Sequence, residues 1–273
     1  MLKDITLGQF FPGNSLLHKL DPRVKLIVCI AYIVAIFLCK SAVAYGAVLV
    51  ATLLLMVISK LPIKTVLKGI KPILFIILFT AVLNIFWRSG ETVLVSFWKI
   101  TIYLEGIISA IYMVVRISCL VVGTSVILTY TTSPIALTDA IERLLSPLRA
   151  IKVPVHEFAM MMTIALRFIP TLIEETDKIM NAQKARGSDF STGKLTERAK
   201  ALVPVLVPLF ISSFRRADEL AIAMECRCYR GGSGRTRMTQ LRLAARDFLF
   251  LFAIAAFIAV IVFINKFIPY FIV

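Results

Sequence analysis

The 273-residue chain has few of the residues that build catalytic and metal sites. It carries two histidines, His18 and His156, and five cysteines. The cysteines, Cys29, Cys39, Cys119, Cys226 and Cys228, form an odd set without disulfide-framework spacing, and three fall in apolar runs. They are expected to be reduced, small apolar fillers. Cys226-x-Cys228 would be half of a metal site, but no second Cys pair or suitably spaced His completes it, so no metal is expected. No Gly-x-x-x-x-Gly-Lys-Ser/Thr phosphate loop occurs. The nearest glycine cluster, Gly232-Ser233-Gly234-Arg235, lacks the spacing and the ending, which argues against ATP hydrolysis by this chain. No nucleophile, base and orienting residue form a recognisable set. Acidic residues are scarce too, 16 against 31 Lys and Arg, for a net charge of +15.

What is abundant is apolar sequence. At 59% hydrophobic, the chain exceeds the roughly 45–50% of soluble domains, so part of its surface must face lipid. The opening residues include Lys3, Asp4 and Gly8, and no apolar run follows until Val24, so no cleaved signal peptide is expected. Five stretches approach the roughly 17–25 apolar residues that cross a bilayer: Val24 to Cys39, Ala42 to Ser59, Pro72 to Trp87, Gly106 to Tyr130, and Phe248 to Ile264. With the N-terminus inside, the inner segments hold Lys3, Lys19, Arg23 and Lys25, then Lys60, Lys64, Lys68 and Lys71, then eighteen basic residues from Arg143 to Arg246. The outer segments keep Lys40, Arg88, Lys99 and Lys266. That bias predicts a cytoplasmic N-terminus and an external C-terminus. Two further apolar runs, Val155 to Ile173 and Ala201 to Phe214, contain Arg167 and Pro170, and Pro204 and Pro208, respectively. They read as long helices beneath or partly within the membrane face; inserting both would give seven spans with the same terminal orientation.

Arg116 lies near the centre of the fourth span, where a charge costs at least about 2.5–3.5 kcal/mol. It is a candidate for an intramembrane or partner contact, or for a structural Arg satisfied by backbone carbonyls and hydroxyls.

Beyond Tyr130, Ser133 and Pro134 suit the cap and first position of a helix. Two long helical patterns follow, from about Pro154 to Arg186 and Glu197 to Arg227, each apolar first and polar later. A shift of 41 residues superposes Thr176-Asp177-Lys178-Ile179 on Ala217-Asp218-Glu219-Leu220 and Ala185-Arg186-Gly187 on Cys226-Arg227-Cys228. A helix end with one Arg between small neighbours projects a five-donor guanidinium while letting the backbone approach another protein. Gly187 can take the left-handed conformation that closes a helix, and Gly231-Gly232 offers the same beyond Arg227. A single Arg at such an end could simply complement the helix dipole. Repetition at fixed spacing favours two equivalent partner sites instead. From Tyr130 to Arg246 the eighteen basic residues are interspersed with eleven acidic ones, a mixture that suits a protein-binding surface better than a nucleic-acid stripe. The basic stretch Arg230 to Arg246 suits lipid headgroups.

On these residues the chain resembles the transmembrane T component of energy-coupling factor (ECF) transporters, ABC-type vitamin and metal importers of prokaryotes. The resemblance runs through Gly13-Asn14-Ser15, Leu20-Asp21-Pro22-Arg23-Val24-Lys25-Leu26, Thr131-Thr132-Ser133-Pro134, Leu144-Leu145-Ser146-Pro147-Leu148 and Ala165-Leu166-Arg167-Phe168-Ile169-Pro170, and culminates in Gln183-Lys184-Ala185-Arg186-Gly187. It implies that Ala185, Arg186 and Gly187, and the departing second motif Cys226, Arg227 and Cys228, each contact one ATP-binding ATPase subunit. It also implies a separate membrane S component that captures substrate. ATP and Mg would then sit on partner chains. By themselves, Asp21-Pro22-Arg23 read as a helix cap with Pro in the first turn, and Arg167 to Pro170 as a helix kink.

The expected fold is an all-α membrane protein with about five transmembrane helices and a cytoplasmic coupling domain of long crossed helices. Its parts would be 1–130 with four spans, 131–246 for coupling, and 247–273 as the last span. The alternative is a membrane-embedded enzyme or a self-sufficient channel, which should converge polar residues from several spans at membrane depth.

Overall fold

The computed structural model describes residues 10–88, 92–97, 100–188, 190, 194–231, 241 and 243–267. The apolar runs pair their backbone groups within helices, as a lipid environment requires. The helices are α1 (Pro22–Leu38), α2 (Ala42–Ser59), α3 (Ile63–Trp87), α4 (Leu104–Thr124), α5 (Pro134–Leu144), α6 (Val155–Ala185), α7 (Leu195–Cys226) and α8 (Ala245–Phe267). α4 runs on into a π-helical turn, Ser125–Thr129, closed by the Tyr130 N–H donating to the Ser125 carbonyl at 2.9 Å.

The protein is an all-α membrane protein with one small addition. Between α3 and α4, β1 (Val93–Phe97) and β2 (Ile100–Tyr103) form an antiparallel hairpin with Val93 opposite Tyr103. Its signal in the sequence is the β-branched and aromatic content of those nine positions, which the hydropathy of the flanking spans hides.

Among the described residues five helices are long and apolar enough to cross a membrane: α2, α3, α4 with its π turn, α6 and α8. The expected spans all fall on helices, yet the set differs at two places. α1, with 17 residues rising about 26 Å, stands at the lower limit of a span. α6, expected beneath the membrane face, qualifies by length with a mean hydropathy of 1.2, against 2.1 to 2.9 for the other four. α3 starts at Ile63 rather than at Pro72, so Lys64, Lys68 and Lys71 belong to its first turns.

Two compact units divide the chain, one formed by the described residues up to Ala140 and from Leu241 onward, the other by those between Ile141 and Gln240. The first packs α1 against α4 and α8, α2 against α4, and α3 along α4. Its core joins Val24, Val28, Tyr32 and Ile36 of α1 to Tyr45 and Val48 of α2, Cys119 of α4 and Ile261 of α8. Gly123 makes the tight crossing possible, because a Cβ there would overlap the buried Tyr32 ring. The Tyr32 hydroxyl sits 2.7 Å from Thr52 Oγ1 and donates to the Cys119 carbonyl at 3.0 Å. The opposite faces carry exposed Phe37, Leu54, Phe75, Phe79 and Phe252, the apolar surface a membrane covers. Cys29, Cys39 and Cys119 are buried free thiols.

Candidate functional site

The second unit is built on α6 and α7. Both helices keep running through prolines, Pro170 in α6 and Pro204 and Pro208 in α7. At the start of α7 the Lys194 N–H donates to Glu197 Oε2 at 3.0 Å, satisfying one of the first amides. The helices meet through Glu175, which accepts from Ser212 Oγ at 2.5 Å and from an Arg216 amino group at 2.6 Å. Beside this cluster Ile164, Phe168 and Leu172 of α6 face Ala217, Leu220 and Ala221 of α7 across an apolar groove.

Glu175 and Arg216 are 41 residues apart, the same interval that relates the two Arg motifs. The ion pair therefore joins equivalent positions of the two copies. Each partner stands eleven residues before its motif Arg, so each arm from meeting point to Arg measures about 16 Å of helix.

The ends of the arms have the same backbone closure. After α6, the Gly187 N–H donates to the Lys184 carbonyl at 3.0 Å and the Ser188 N–H to the Gln183 carbonyl at 3.0 Å, with Gly187 left-handed at φ +92°. After α7, the Cys228 N–H donates to the Glu225 carbonyl at 2.8 Å and the Tyr229 N–H to the Met224 carbonyl at 3.0 Å, with Cys228 left-handed at φ +56°. Both are Schellman motifs with Arg at the C-cap. The second helix closes at Cys228, three residues before Gly231; Gly231 is itself left-handed at φ +83°, and Gly232 lies outside the described residues.

This geometry bears on why the arginines are there. Backbone amides already donate to the Gln183, Lys184, Met224 and Glu225 carbonyls, and neither Arg side chain takes part in the closure. Among the described residues neither guanidinium has a hydrogen-bond or ion-pair partner. Ala185, Arg186, Gly187, Cys226, Arg227 and Cys228 are all exposed. What protrudes is a fork of donors between small neighbours, suited to an acidic or carbonyl-lined groove.

Arg116, expected near the centre of the fourth span with either a partner contact or a structural role, is placed against the ends of α1 and α2. Although central in α4, it donates to the Tyr45 hydroxyl in the first turn of α2 and reaches the Cys39 carbonyl, at the end of α1, at 3.5 Å. It therefore lies level with the α1–α2 turn. Its guanidinium also stands 5.3 Å from the Tyr45 ring centroid, and Tyr45 stacks on Tyr112 at 5.1 Å. These are contacts of the kind that hold a cation against an aromatic ring.

Asp21-Pro22-Arg23 is more than the cap its residues suggest. The cap is present, the Arg23 N–H donating to Asp21 Oδ1 at 2.9 Å, but the same turn also holds a buried polar cluster with Lys25 and Asp247. The sequence carries a signal for it: opposite charges at the first turns of two apolar runs, Lys25 and Asp247.

The described chain is thus a multi-pass helical membrane protein that carries a pair of long helices with matched Arg ends. Residues 13–239 match the family described as Cobalt transport protein (CbiQ), and the chain belongs to it. Two relatives called energy-coupling factor transporter transmembrane protein EcfT, from Clostridium kluyveri and Ruminiclostridium cellulolyticum, are each 58% identical over 91% of this chain and 92% of their own length. A third so named, from Acidaminococcus fermentans, is 51% identical over 98% of this chain and 100% of its own. The chain is a transmembrane component of the ECF transporter type.

Proposed function

We propose that this chain couples ATP hydrolysis by two partner ATPase subunits to a membrane-embedded S component that captures a vitamin or metal. Residues 131–246 form the cytoplasmic coupling domain, Arg186 engages one ATPase and Arg227 the other, and ATP and Mg are held by those partners. The N-terminus is cytoplasmic and the C-terminus external, in keeping with the Lys and Arg bias of the short loops. The observation that carries the reading is the pair of exposed guanidinium groups, without a partner among the described residues, at equal distances from the Glu175–Arg216 meeting point. Closure of the ATPases moves both arm ends, the ion-paired crossing converts the two displacements into one, and the membrane unit responds by tipping or releasing the S component.

Two arms make the reading testable. The double variant Arg186→Glu with Arg227→Glu, expressed together with its ATPases and purified in mild detergent, should retain less than about a hundredth of the ATPase recovered with the unvaried chain, since reversing a charge in each contact costs several kcal/mol. Full recovery of both ATPases would sink the proposal.

A further inference from the structure

Within the membrane unit, α3 is longer than a span requires. Its 25 residues rise about 37 Å, against a hydrocarbon layer about 30 Å thick. Its uninterrupted apolar sequence begins at Pro72, so the lysine-bearing turns before Pro72 are the ones that extend into the headgroup layer. One face of those turns is fixed against the rest of the unit. Val66 is buried with Leu17, Leu20, Leu61 and Tyr130. A Cβ on Gly69 would overlap the Tyr130 hydroxyl, which donates to the Thr65 carbonyl at 3.4 Å.

The other face carries Lys64, Lys68 and Lys71, at the i, i+4 and i+7 spacing of a single helix face, and all three are exposed. Among the described residues none of them has an ion-pair partner. The same spacing continues the face to Phe75, Phe79 and Phe86, all exposed, with Phe75 and Phe79 stacked at 6.4 Å. One continuous surface thus changes from cations to aromatic rings within a turn, at Pro72.

The general excess of Lys and Arg on one side of a membrane protein concerns how many cations a segment holds, not that they share an exposed face. Like charges three and four residues apart on a helix repel one another, so the stripe is unfavourable until an anion covers it. Its occupant must be anionic beside the lysines and apolar one turn further on. A phospholipid with an anionic headgroup meets both needs in one molecule. An acidic soluble protein meets only the first.

We propose that Lys64, Lys68 and Lys71 bind the phosphodiester headgroup of an anionic phospholipid whose acyl chains lie along Phe75, Phe79 and Phe86. The site requires nothing of the coupling function, and lipid retention tests it directly.

The full complex is purified in mild detergent containing equal amounts of phosphatidylglycerol and phosphatidylcholine, and bound lipid is counted by native mass spectrometry. The unvaried complex should retain phosphatidylglycerol in preference to phosphatidylcholine. Lys64→Gln, Lys68→Gln and Lys71→Gln combined should lower phosphatidylglycerol retention at least about tenfold and leave phosphatidylcholine unchanged, whereas the three Lys→Arg changes should preserve it. Removing three exposed lysines of the second unit, Lys152→Gln, Lys178→Gln and Lys200→Gln, should leave retention within about twofold, which separates a site from net charge. Equal retention of the two lipids by the unvaried complex overturns the site, as does undiminished phosphatidylglycerol in the triple Gln variant. Loss of a partner subunit from that variant, with lipid retention unchanged, also overturns it and assigns the stripe to a protein contact. If the triple variant does not assemble, Lys64→Gln and Lys68→Gln singly should each lower retention about threefold, and no loss from either is equally decisive against the site.

Discussion

The ends of α6 and α7 reach the same backbone geometry from different residues. After α6 the left-handed position belongs to Gly187, which has no Cβ to object; after α7 it belongs to Cys228, whose Cβ crowds the neighbouring carbonyl. The carbonyls closed, the bonds that close them and the place of Arg are otherwise the same. The conformation is thus kept even where the residue is a poor one for it. An Arg carried one residue past the last helical turn, on a closed end, is what the two arms have in common.

Separating the arms gives the largest expected effect. Arg186→Glu alone and Arg227→Glu alone should each leave one ATPase bound and weaken the other contact at least about tenfold, read by native mass spectrometry of the complex. Equal loss from both variants supports equivalent arms. A difference would say that the thiol-flanked end binds with its own strength.

Disrupting the point where the arms meet comes next. Glu175→Ala removes the acceptor of both Ser212 and Arg216 and should lower stability by about 1–2 kcal/mol, and a double-mutant cycle with Arg216→Ala should recover most of that as coupling. Chemical denaturation in mild detergent measures it. Purely additive single effects would show that the two helices are held by their apolar groove instead.

The smallest effects test the closures. Gly187→Ala should destabilise by about 1 kcal/mol, because an L residue must take φ +92°, whereas Cys228→Gly should stabilise by a similar amount. Opposite signs in the same denaturation assay confirm that the two ends share one geometry; a loss of stability from Cys228→Gly would show that the thiol makes a contact the backbone does not need.

Much of the fold and of the candidate site is legible in the residues themselves. Ser133 and Pro134 mark the start of α5, where the Ala136 N–H does donate to Ser133 Oγ at 3.3 Å. The 41-residue repeat marks the matched ends, because helix termini are local events governed by a few adjacent residues. The β hairpin is hidden because its apolar strands lie between two spans of equal hydrophobicity. The closing residue of α7 escapes a sequence pattern because glycine is the ordinary choice for a left-handed site, and Cys228 takes it without any signature. The level of Arg116 is masked for a different reason. Counting along α4 puts it at the middle, but α1 ends and α2 begins at its level.

Local sequence is enough to make the chain a helical membrane protein, to place its helix ends within a few residues except at the start of α3, and to pair two of those ends as equivalent. All three follow from hydropathy, charge and capping, which act over one or two turns of chain. Packing in three dimensions was needed to bring Glu175 to its own repeat equivalent Arg216, and to bring Asp21, Arg23 and Lys25 to Asp247, Leu241 and Thr131. These bonds join residues more than a hundred positions apart, and which buried charge finds which partner is settled by the packing of whole helices rather than by any local pattern.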